Sequence, residues 1–162
     1  MRALAMPHQS VQSIAPTPSY LSVAIPRPAD ACYRLFADVE RIPEWLSVVR
    51  SAYVSRRDQK GRAREVAFLA RLRGATVGYT CRYRHHEEDL LLAWSTTPGS
   101  SLAVQGFGQF VPLGDRAALM TYSLELDLGP AGSLPGWHDS FFDGHAASSA
   151  MSDFRDFAQR AL

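Results

Sequence analysis

A chain of 162 residues, 46% hydrophobic and 20% charged, has the balance of one globular domain. It is long enough to bury a core and too apolar for a disordered or fibrous chain. Its 17 basic and 16 acidic side chains leave a formal charge of +1, so no broad positive field is available and nucleic acid is not an expected partner. Cys32 and Cys81 stand far apart without zinc-site spacing, and no stretch is apolar for long enough to be a signal peptide or a membrane span. A cytoplasmic protein with reduced thiols and no membrane insertion is the expectation.

Residues 1–19 carry Pro7, Pro16 and Pro18 among polar residues and read as a flexible tail, leaving 20–162 as the folded domain. Tyr20 to Ile25 has strand composition, and Pro26 and Pro28 stop it because proline cannot donate to a ladder. The period then changes. Ala29, Cys32, Leu35, Phe36 and Val39 fall on one helical face, and Pro43 is pre-set for the first turn of a second short helix from Ile42 to Leu46.

Turn signals at Asp58–Gly61, Arg73–Gly74, His86–Asp89, Pro98–Ser100 and Leu113–Asp115 divide the next stretch of chain into six strands. These run from about Val48 to Arg57, Arg64 to Leu72, Ala75 to His85, Leu90 to Thr97, Leu102 to Val111 and Arg116 to Leu128. Such short connections force antiparallel pairing. The bunched Arg56, Arg57, Lys60, Arg62 and Arg64 surround Asp58 and Gly61, which makes a solvated hairpin rather than a docking patch. From Leu134 through Trp137, Phe141, Ala147, Met151, Phe154, Ala158 and Ala161 the helical period returns to the C-terminus, with Gly144 as a point of bending. A continuous helix there would extend roughly 40 Å.

Alternation assigns the faces of the sheet. Val66, Phe68, Ala70 and Leu72 point inward, as do Tyr79, Cys81 and Tyr83, then Leu92 and Trp94, and in the last strand Met120, Tyr122, Leu124 and Leu126. Thr121, Ser123, Glu125 and Asp127 point to water. Leu102, Val104, Gly106, Gly108 and Phe110 also face inward, although the two glycines suggest a bulge that would shift the register. Bulky aromatics mixed with small residues suit either an interdigitated core or a cavity. The inward tyrosines need partners once buried and are suited to orient a mostly apolar ligand.

The order of strand, two short helices, six strands and long final helix resembles the SRPBCC superfamily of START-like and polyketide cyclase/dehydrase-like proteins. The likeness is carried by Ile25–Ala29 with Leu35–Trp45, by Gly106–Asp115, and by Leu134–Trp137 at the entry of the last helix. It implies an α+β helix-grip fold, a seven-stranded curved antiparallel sheet around a long C-terminal helix. It also implies a hydrophobic small molecule, a lipid, polyketide or isoprenoid, held between sheet and helix. Candidate ligand-binding residues are Trp45 at the portal, Phe68, Tyr79, Cys81, Tyr83, Trp94, Phe110 and Tyr122 on the sheet, and Phe141 and His145 on the helix.

Other chemistries find little support. His85 and His86 are adjacent in a strand and point apart, so the five histidines supply no evident metal site and no cofactor is expected. Lys60, the only lysine, sits in an exposed turn, which disfavours a Schiff base, and no Gly-x-Ser-x-Gly elbow is present. A non-catalytic binder or carrier is the leading reading. A cyclase or dehydratase using Tyr79, Tyr83, Tyr122, Cys81 or His145 is the enzymatic alternative, and a protein-interaction module with a filled core is the third.

Overall fold

In the computed structural model of the protein, the described residues are 20–72, 74–100, 102–127 and 145–162. The expected tail, residues 128–144 and the side chain of His145 lie outside them, so Phe141 and the first part of the expected final helix do too.

The elements follow the expected order: β1 (Leu21–Ile25), α1 (Ala29–Ala37), α2 (Ile42–Trp45), β2 (Val49–Arg57), β3 (Ala63–Leu72), β4 (Ala75–His86), β5 (Leu91–Thr96), β6 (Ala103–Pro112), β7 (Ala118–Asp127) and α3 (His145–Ala161). A single 3₁₀ turn at Val39–Arg41 joins α1 to α2, where the helical period had placed Val39 in α1 itself. Boundaries move by one or two residues, the ordinary scatter of element ends.

The seven strands form one antiparallel sheet in the order β1-β7-β6-β5-β4-β3-β2. β1 and β2 are its two free edges, although they are neighbours in sequence. The chain between them must cross the whole sheet, and α1 and α2 make that crossing on the concave face. α1 rests mainly on β6, and α3 lies across β1 and β7 and touches both short helices. This is a helix-grip fold with an open sheet. Among the described residues no helix is long and apolar enough to cross a membrane.

Phe36 on α1 is the hub of the packing. Its ring lies 5.0 Å from that of Phe154 on α3, 5.5 Å from Phe110, and 6.0 Å from both Trp45 and Trp94, with Tyr122 edge-on at 6.4 Å. Such stacked, tilted and edge-on pairs contribute about 0.5–1.5 kcal/mol each beyond their buried area. The ring reaches this depth because β6 carries no side chain at Gly108. A Cβ there would stand 2.6 Å from Phe36 Cε1 and 2.8 Å from Cζ. Gly106 makes the same allowance, since a Cβ would meet Trp94 Cζ2 at 2.8 Å and the Ser123 carbonyl.

These glycines therefore do not make a bulge. β6 pairs with β7 in unbroken register from Ala103↔Asp127 to Pro112↔Ala118, and the register shifts fall in edge strand β2 instead. Two further expectations are corrected. Ser123 is buried on the outward side of β7, where the rings of Tyr20, just before β1, and of Phe107 on β6 come within 5.6 Å of each other. Ala161 belongs to the inward stripe by period but is exposed in the last turn of α3.

The hairpin between β2 and β3 is solvated and built on Asp58. Its Oδ1 accepts from the amides of Lys60 and Arg62, and its Oδ2 from Arg62 Nε at 2.7 Å. Arg57 reaches Glu40 at 3.0 Å and Arg62 reaches Glu87 at 3.1 Å, fastening the hairpin to its neighbours by exposed pairs of small individual worth.

Because five rings surround Phe36, it cannot retreat from a new methyl group. Gly108→Ala is expected to destabilise the protein by about 1–3 kcal/mol in chemical denaturation. Adding Phe36→Leu should recover part of that loss, giving a non-additive double-mutant cycle.

Candidate functional site

A cavity of about 340 Å³ lies on the concave face, between the sheet and the first half of α3. Its wall follows from strand alternation. β3 presents Phe68, Ala70 and Leu72, β4 presents Tyr79, Cys81 and Tyr83, β5 presents Leu92 and Trp94, and β7 presents Tyr122, Leu124 and Leu126. Leu102 and Val104 complete the sheet side. Phe36 and α2, with Ile42 and Trp45, close one flank, and Ala146, Ser149, Ala150 and Asp153 line the helix side.

Seven of the ten sequence-predicted site residues are brought together in this wall: Trp45, Phe68, Tyr79, Cys81, Tyr83, Trp94 and Tyr122. Phe110 is placed behind it, wedged between Phe36 and Phe154 and 1% exposed. Phe141 and the His145 side chain fall outside the described residues. Residues not singled out from the sequence include Leu46, Ser47, Val48 and the α3 set at 146, 149, 150 and 153. That set has i, i+3, i+4, i+7 spacing, a signal that was present beside the stronger core stripe of Ala147, Met151, Phe154 and Ala158.

The aromatic wall residues form a continuous band across the sheet. Tyr79 stacks on Phe68 at 5.3 Å, Phe68 meets Tyr83 at 6.5 Å, Tyr83 meets Trp94 at 6.2 Å and Trp94 meets Tyr122 at 5.8 Å. Among the described residues no group bonds the hydroxyls of Tyr79, Tyr83 or Tyr122, and Trp45 Nε1 is buried without a partner.

Burial pushes all three phenols up, helped by the proximity of Cys81 for Tyr79 and Tyr83 and of Tyr79 for Tyr83 and Tyr122. The Cys81 thiol is pushed up to about 12 by burial alone. At neutral pH the wall therefore holds neutral hydroxyls and a thiol, which can donate or accept hydrogen bonds but supply no anionic nucleophile.

Residues 19–161 match the family described as polyketide cyclase / dehydrase and lipid transport. The chain belongs to this family. No curated protein matches it. Among solved structures of the same fold, a START superfamily protein from Mycobacterium smegmatis superposes with a TM-score of 0.76 at 14% identity, covering 89% of this chain and 98% of that one. A protein from Thermus thermophilus gives 0.71 at 22% identity, with 88% and 97% covered. The Zhui aromatase/cyclase from Streptomyces sp. R1128 gives 0.65 at 14% identity, with 88% and 93% covered. As a member of the polyketide cyclase / dehydrase and lipid transport family, the chain is, in general terms, a hydrophobic-ligand-binding helix-grip protein.

The wall chemistry leads to two expected outcomes. Since no described residue pairs with their hydroxyls, Tyr83→Phe and Tyr122→Phe should leave the thermal midpoint unchanged or raise it, unlike the loss of about 1 kcal/mol typical of a bonded tyrosine. With Cys81 at about 12 and Cys32 at about 11, both raised first by burial, iodoacetamide at pH 8 should label neither in the folded protein. Mass spectrometry should find both labelled after unfolding.

Proposed function

We propose that the protein binds or carries a lipid, polyketide or isoprenoid in the cavity beneath α3. The observation that carries this reading is the wall itself, apolar over nearly its whole extent yet set with three phenols, those of Tyr83 and Tyr122 buried and that of Tyr79 half-buried, that no described residue hydrogen-bonds. Three hydroxyls that border one apolar cavity, unpaired among the described residues, are placed to hydrogen-bond a polar group of a bound molecule. The apolar body of the ligand lies along Phe68, Leu72, Val104 and Leu126, and its hydrogen-bonding group lies among Tyr79, Tyr83 and Tyr122. A volume of about 340 Å³ is in the range of small-molecule sites and argues against a module with a filled core.

A second reading, cyclisation of a poly-β-ketone, draws on the same phenols. Neutral donors beside a bent chain would polarise its carbonyls, and the cavity would hold the reacting carbons close. It predicts turnover that Tyr79→Phe or Tyr122→Phe removes while the fold survives.

Native mass spectrometry of freshly purified protein tests the binding reading, followed by titration with a long-chain alcohol, an isoprenoid alcohol and an aromatic polyketone. Trp45 and Trp94 stand in the wall, so occupancy should change the intrinsic fluorescence. Ala70→Phe, which fills the cavity, should abolish that change without lowering stability. No retained mass and no response to any of the three compounds would overturn the reading.

A further inference from the structure

The polar groups of the cavity fall into two sets that differ in position and in sign. Where burial is deepest, the phenols of Tyr83 and Tyr122 are neutral donors. At α3 the wall carries instead one carboxylate, Asp153, on the helix face shared by Ala146, Ser149 and Ala150. Asp153 is exposed while also lining the cavity, which places it at the rim. Its neighbour Asp156 is engaged by Arg155 at 3.2 Å, whereas Asp153 has no ion pair among the described residues. Partial desolvation and then Asp156 raise its carboxyl from the ordinary value. Among the described residues the wall contains no lysine, arginine or histidine.

This arrangement bears on which ligand heads can enter. A carboxylate lodged among the phenols would find donors but no positive charge, and the cost of burying an uncompensated anion opposes it. A carboxylate left at the rim would face Asp153. An alcohol at the rim donates to Asp153, an amine pairs with it, and a carbonyl further along either ligand accepts from the phenols.

We propose that Asp153 makes the cavity select uncharged or cationic amphiphiles and reject carboxylates, so that free fatty acids are excluded and neutral or amine-bearing apolar molecules are taken. This rests on the reading of the cavity as the ligand site.

The test uses the full chain and three ligands that share one alkyl tail: dodecylamine, dodecanol and dodecanoate, each below its micelle concentration. Binding is followed by tryptophan fluorescence and native mass spectrometry at low ionic strength. The amine should bind most tightly and the acid least, with a gap between them of about fivefold or more that narrows in high salt. In Asp153→Asn the gap should shrink toward unity, and in Asp153→Lys dodecanoate should become the tightest of the three. Both substitutions sit on an exposed helix position, and circular dichroism checks that the fold is kept. Equal binding of all three ligands by the unaltered protein would overturn the selectivity and leave the cavity as a ligand site. An order that persists in both variants would overturn the role of Asp153. Failure of all three to bind would overturn the cavity reading and this proposal with it.

Discussion

The seating of Phe36 over Gly108 sets the geometry on which the rest depends. The ring enters the sheet where β6 has no Cβ, and from there it touches residues of α2, β5, β6, β7 and α3 at once. It fixes how high α1 rides and how closely the middle of α3 can approach. Burying such a ring contributes roughly 1.5–3 kcal/mol through area alone, before any gain from ring geometry. Phe36 also forms part of the cavity wall, so the same side chain that anchors the helices bounds the space they leave.

α3 is consequently held unequally along its length. Toward its C-terminal end Phe154, Phe157 and Ala158 are buried, the Arg41 guanidinium lies 5.0 Å from the Phe157 ring, and Arg27 Nη2 donates to the Gln159 carbonyl at 2.5 Å. A cation on the last-turn carbonyls satisfies acceptors that the helix leaves open and opposes its dipole. Toward the N-terminal end one flank, with Ala146, Ser149 and Ala150, borders the cavity, while Ala147 and Met151 stay packed in the core. The fold thus leaves its free volume along one flank of the N-terminal half of this helix, beside the core stripe.

Much of this was legible in the sequence because period and turn chemistry are local signals. The inward faces of β3, β4, β5 and β7 could be read from alternation, and seven of the ten chosen site residues lie together in the wall for that reason. What escaped depends on contacts between elements distant in sequence. Gly106 and Gly108 look like bulge formers within one strand, and only the rings of Trp94 and Phe36 arriving from elsewhere explain them. Ser123 alternates as a wet residue, and the paired rings on its side of the sheet come from outside its strand. Phe110 points inward as expected, but facing does not distinguish a wall from the layer behind it, and Phe36 stands between. On α3 the strongest apolar stripe marks the core contact, so the weaker flank that carries Ser149 and Asp153 was passed over.

Free volume here has an energetic consequence that packing alone would not choose. Aromatic rings that border a void lose dispersion contacts on that side, and the Trp45 indole N–H, buried without a partner among the described residues, adds a desolvation cost. Larger side chains at Ala70 or Ala150 would recover apolar area at about 25 cal/mol per Å² and remove the deficit. The wall instead alternates small residues with aromatic ones whose hydroxyls no described residue hydrogen-bonds. Local rules that fail together at one place, while holding across the sheet around it, mark that place as the candidate site. Neutral phenols rather than charged groups also suit the purpose, because a buried charge without its ligand would cost several kcal/mol, whereas a hydroxyl tolerates the unbound state and still supplies direction when an acceptor arrives.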